Sequence, residues 1–159
     1  MNRKRISTAL VITLAIAALI GLGARFNVRG DDNYHNKLSG SWEVTVMPTG
    51  GDPIIDFATF TDGGGVTNID PDPNVSTGIG TWERIGPNRF SVTFVHFLSS
   101  GGVPLGTLKV RSEGTLNPDT NTLSGVFRTD VVIGGNVVQS ICGTMQLKRV
   151  NAEPFEACP

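Results

Sequence analysis

Short alternating runs in this chain are separated by clusters of turn-forming residues. They are Thr49-Gly50-Gly51-Asp52-Pro53, Asp62-Gly63-Gly64-Gly65, Gly86-Pro87-Asn88, Ser99-Ser100-Gly101-Gly102, Asn117-Pro118-Asp119 and Gly134-Gly135-Asn136. Glycine supplies positive φ and proline presets a turn dihedral, so such clusters end strands and reverse the chain. The segments between them predict strands at about 41–47, 54–61, 65–69, 78–85, 89–98, 105–115, 121–131 and 137–150. After the first thirty residues no segment carries a helical period. Short antiparallel strands with tight connections fold as a closed barrel or as a sandwich. Sandwich edges are commonly protected by proline, which these runs mostly lack, and sequential hairpins favour closure. The expectation is an all-β, antiparallel up-and-down barrel of about eight strands.

The first residues form a separate device. Arg3, Lys4 and Arg5 precede an uncharged, mostly apolar run from Ala9 to Gly23 that ends in small residues, and the chain then turns polar. That is the layout of a secretory signal peptide, and the run is short for a membrane span of about 20 residues. An uncleaved N-terminal anchor is the alternative. The expected organisation is a signal over 1–24, a polar linker over 25–37, the barrel over 38–150 and a tail over 151–159. Such a protein is secreted or periplasmic, with no stable membrane association once the signal is removed.

Export changes the charge and cysteine arguments. The chain has 13 Lys and Arg against 14 Asp and Glu; without Arg3, Lys4 and Arg5 the balance is 10 against 14, or −4. A mildly acidic surface without basic runs disfavours nucleic acid as a partner. In an oxidising compartment the only two cysteines, Cys142 and Cys158, are most simply a disulfide. Alternation along the last strand places Cys142 on the outer face, so the tail would fold back over the wall. The chain-entropy model gives a loop of this length roughly 3 kcal/mol. A redox or metal pair lacks CxxC spacing and a neighbouring His.

Residue parity sorts wall from lumen. Trp42, Val44 and Val46 share a face, and Phe90, Val92, Phe94, His96 and Leu98 share another. Leu108 and Val110, Leu123 and Phe127, then Val137, Ile141, Met145 and Leu147 continue this apolar lining. His96 is the one titratable side chain it places inside, as a hydrogen-bonding or acid/base group addressing an apolar ligand, or as a core histidine bonded to a backbone carbonyl. Gln139 and Trp82 are its candidate neighbours. Trp82, in a second Gly-x-Trp at Gly80-Thr81-Trp82, is a structural wedge at a barrel end or a stacking surface. The candidate lumen set is therefore His96, Phe94, Trp82, Phe90, Phe127 and Gln139.

Other chemistry is sparse. Asp70-Pro71-Asp72-Pro73-Asn74 opens like a calcium loop, but Val75 stands where glycine is needed and Thr81 where the bidentate Glu is needed. No Gly-x-Ser-x-Gly elbow, phosphate loop or HExxH occurs. Arg111 and Glu113 read as an ordinary surface pair. No metal, cofactor or catalytic set is indicated.

Gly40-Ser41-Trp42 at the first strand, Thr129-Asp130-Val131, and Arg149 at the end of the last strand resemble the lipocalin (calycin) pattern. The resemblance implies that Trp42 and Arg149 close one barrel end through a cation–π contact and are structural. Val131 replaces the family's aromatic, the chain is short and no C-terminal helix follows. Allene-oxide-cyclase-like, dirigent-like and avidin-like barrels look similar at this level. The function implied is a barrel that binds a small apolar molecule in its lumen. The alternatives are a structural or interaction barrel with a filled core, and an allene-oxide-cyclase-like isomerase using His96 and Glu83 as acid/base groups.

Overall fold

The computed structural model describes residues 38–156 and 158. The expected signal and linker lie outside the described residues. Eight strands follow one another: β1 (Gly40–Pro48), β2 (Ile54–Phe60), β3 (Gly65–Ile69), β4 (Gly78–Gly86), β5 (Arg89–Ser100), β6 (Val103–Asn117), β7 (Thr122–Ile133) and β8 (Asn136–Arg149). Each pairs antiparallel with its sequence neighbours, and β1 pairs with β8, so the sheet closes in the order β1 to β8. The up-and-down barrel expected from the turn clusters is the fold, an architecture consistent in general with calycin-like barrels. Closure leaves none of these strands with an unpaired edge along its full length.

The barrel has two unlike ends. At one, the buried side chains Leu38, Trp42, Phe60, Trp82, Phe90, Leu116, Leu123 and Leu147 form the core. Trp42 and Leu38 are fully buried and Phe90 nearly so. At the other end the β5–β6 and β7–β8 hairpins run on past the ends of their neighbours. There Val137 is more than half exposed, although its parity predicted a lumen position. The register shifts between Val131 and Val132, and this stretch of β8 lies beyond Gly143, the last β8 residue that β1 covers.

On the outer wall the expected Arg111–Glu113 pair does not form. Arg111 Nη1 lies 2.6 Å from Asp130 Oδ2 on β7, and Arg89 lies 3.1 Å from Glu113. Both are diagonal cross-strand pairs, since Arg111 is in register with Arg128 and Arg89 with Thr115, and diagonal neighbours lie within reach of such long side chains. Arg128 and Ser140 also bond Asp130, at 2.8 and 2.7 Å. Ser140, Arg111 and Arg128 hold its carboxyl well below the usual range.

The expected disulfide is absent: Cys142 and Cys158 are both exposed, free thiols. Cys142 does lie on the outer face of β8. The described tail has no strand structure and is exposed, and nothing packs it back along the wall. From Arg149 the tail would have to retrace seven β8 residues, roughly 23 Å of strand, to reach Cys142.

Candidate functional site

The closed end is built around Trp42. Its Nε1 donates to Leu38 O at 2.9 Å, and Arg149 Cζ sits 4.3 Å from the ring centroid. Trp42 and Arg149 are register partners on β1 and β8. Arg149 Nη1 donates to Ser39 O at 2.5 Å and its Nε reaches Asn121 Oδ1 at 3.4 Å. Gly40 has φ 121, which favours glycine, and a Cβ there would stand 2.6 Å from Arg149 Nη1 and displace the guanidinium. Trp82 belongs to this end as well. It packs edge-on against Phe60 and Phe90, with centroids 6.4 and 5.8 Å away, and donates to Thr61 O at 3.0 Å.

Above this floor lies a cavity of about 700 Å³. Its walls are apolar: Val44 and Val46 from β1, Val92 and Phe94 from β5, Leu108 and Val110 from β6, and Ile141 and Met145 from β8. Five of the six candidate lumen residues face it: His96, Phe94, Phe90, Phe127 and Gln139. Trp82 lies below it, in the floor.

His96 is inside, with 2 % of its surface exposed, while its neighbour Phe97 is 71 % exposed on the outer wall. The imidazole Nδ1 is 2.6 Å from Ser76 O. A carbonyl only accepts, so Nδ1 carries a proton, and in the neutral tautomer that fits this contact Nε2 is an acceptor. Phe94 stacks on its edge at 5.3 Å. A Cβ on Gly78 would come within 2.6–2.9 Å of the imidazole, so the ring occupies the space that glycine leaves. Glu83 sits on the exposed outer side of β4 and does not meet His96. The acid/base pair of an isomerase is not assembled.

The lumen holds polar groups that parity did not single out. Asp56 on β2 and Asn68 on β3 keep 8 % and 3 % of their surfaces exposed and face the cavity. Asn68 Nδ2 donates to Phe57 O at 3.3 Å and makes a long contact of 3.5 Å with Asp56 Oδ2. Those two contacts fix the amide orientation. Asp56 Oδ1 and Asn68 Oδ1 are then buried with no partner. The third such oxygen, Asn88 Oδ1, is in the β4–β5 turn and outside the cavity. Burial, reinforced by Asp70, pushes the Asp56 carboxyl up to about 6, although its contact with Asn68 opposes this.

The β3–β4 connection forms one side of the mouth, where Asp70, Pro71, Asp72 and Val75 line the cavity. Asp70 Oδ1 accepts from Asp72 N and Asp72 Oδ1 from Asn74 N, both at 2.8 Å, as Asx turns do. Ser76 N to Phe97 O and Ser99 N to Asn74 O, at 3.0 and 2.8 Å, fasten the connection to β5. The carboxylates of the calcium-like segment thus cap backbone amides. Among the described residues no group of three or more His, Cys, Asp or Glu is placed to hold a metal ion.

No family model matches this chain, and no curated protein or solved structure matches it.

Proposed function

We propose that the protein is an exported, lipocalin-like barrel that holds one small, mostly apolar molecule in its lumen. The observation that carries this reading is the cavity of about 700 Å³ above an aromatic floor. Ligand pockets occupy roughly 300–1,000 Å³ and combine apolar walls with a few placed polar groups. A filled core does not describe this interior. In this reading the leader over 1–24 delivers the barrel outside the cytoplasm, and Trp42 and Arg149 serve closure.

The test uses protein purified from its source, examined by native mass spectrometry and by organic extraction. A compound that co-purifies and is released on unfolding is the expected result. Consistently empty protein that also fails to take up the neutral fluorophore N-phenyl-1-naphthylamine would overturn the reading.

A further inference from the structure

Two acceptor-bearing side chains of the lumen, Asp56 and Asn68, carry unpartnered oxygens. Asp56 Oδ1 and Asn68 Oδ1 are buried without donors, and in the neutral tautomer that fits Ser76 O, His96 Nε2 is a third acceptor. Among the described residues no Lys or Arg lines the cavity, whereas Asp70 and Asp72 stand at its mouth. A buried polar group without a partner is destabilising, and a buried carboxylate without a counter-charge more so. A ligand that supplies donors and positive charge would satisfy these groups.

Resting on the lumen-binding reading, we infer that the ligand class is a cationic amphiphile: an apolar body carrying a protonated amine, seated with its ammonium on Asp56 and Asn68. An ammonium offers three donors and no acceptor, which suits the unpartnered oxygens that Asp56 and Asn68 carry. A hydroxyl has one proton to donate and leaves the carboxylate uncompensated. A fatty acid brings further acceptors and like charge past Asp70 to Asp56, which is repulsive in a low-dielectric lumen. The elevated Asp56 carboxyl agrees with a charge that lacks its partner. The acidic mouth draws cations inward. The apolar body would extend over Val92, Phe94, Ile141 and Met145.

Selectivity has a pH signature. The other titratable groups facing the lumen are Asp70, Asp72 and His96, and β1, β6, β7 and β8 contribute none. As pH falls through about 6, Asp56 takes up a proton and the ammonium loses its counter-charge.

The experiment loads the full-length protein with N-phenyl-1-naphthylamine and displaces it with dodecylamine, dodecan-1-ol or dodecanoate, at pH 8 and pH 5. Charge-assisted bonds of this kind predict that dodecylamine binds about tenfold to a hundredfold tighter than dodecan-1-ol at pH 8. Dodecanoate should bind weakest. The amine-to-alcohol ratio should fall towards one at pH 5, and in Asp56→Asn it should be near one at both pH values. The wild-type pH series keeps the test decisive if Asp56→Asn does not fold. A ratio near one at pH 8, or dodecanoate binding as tightly as dodecylamine, overturns the cationic assignment and leaves lumen binding standing. Failure of the fluorophore to bind at all overturns both.

Discussion

The two ends of this barrel treat buried polar atoms in opposite ways. At the closed end each indole donor meets a carbonyl: Trp42 Nε1 meets Leu38 O and Trp82 Nε1 meets Thr61 O. The guanidinium of Arg149 covers Trp42 and bonds Ser39 O. In the lumen above, Asp56 Oδ1 and Asn68 Oδ1 have no partner, and the Asp56 carboxyl is shifted up. Residues at the first end add stability; those at the second subtract from it. Local violations of good packing practice concentrate where a protein does its work. The contrast assigns stability to the floor and, on the lumen-binding reading proposed above, recognition to the lumen.

Removing the floor should have the largest effect. Trp42→Ala deletes a fully buried side chain, its hydrogen bond and the surface under Arg149, so a loss of about 3–5 kcal/mol is expected in urea unfolding. A loss below about 1 kcal/mol would mean that the closed end is not the stabilising element.

The opposite sign is expected in the lumen. The carboxyl pKa of Asp56 is raised from 3.8 to about 6, so the folded state binds a proton more tightly than the unfolded chain. Stability contributed by this site is then greatest below about pH 4 and falls as pH rises through 6, where the buried carboxylate is charged. A shift of this size corresponds to up to about 3 kcal/mol. Asp56→Asn should thus raise the melting temperature of ligand-free protein at pH 8, and the gain should vanish by pH 4. Destabilisation at pH 8 would show that Asp56 already has a favourable partner.

Asp56 also marks where sequence reading failed. The barrel was legible because the turn clusters separate the strands, and His96 was legible because Phe90, Val92 and Phe94 alternate with the polar Ser91 and Thr93, which fixes the parity before Val95 and Phe97 make the outer face apolar too. On β2 both faces are largely apolar: Ile54, Ala58 and Phe60 share one with Asp56, while Ile55 and Phe57 share the other with Thr59. With no polar face for contrast, parity could not tell whether Asp56 points to water or to the lumen. The β3 pattern of Val66 and Asn68 against Thr67 and Ile69 is mixed in the same way. Trp82 has the right parity for the lumen but lies too near the closed end, a matter of depth that alternation does not encode. Cys142 was placed on its proper face, yet parity says nothing about whether a tail returns to meet it.

The smallest effects separate two arginines. Arg149 lies over a fully buried indole, and burial lowers its pKa, whereas Arg89 pairs with Glu113 where both side chains are more than half exposed. Arg149→Lys keeps the charge but loses the planar stack and the fork that reaches Ser39 O, so a loss of about 1–2 kcal/mol is expected. A double-mutant cycle on Arg89 and Glu113 should give a coupling of about 0.2–1 kcal/mol, and less in added salt, because water screens an exposed pair. The ordering is what matters, since both pairs join strands around the same barrel. If the Arg89–Glu113 coupling matched the cost of Arg149→Lys, burial over Trp42 would not be what gives Arg149 its strength. The closed end would then be held by charge on its rim rather than by its aromatic floor.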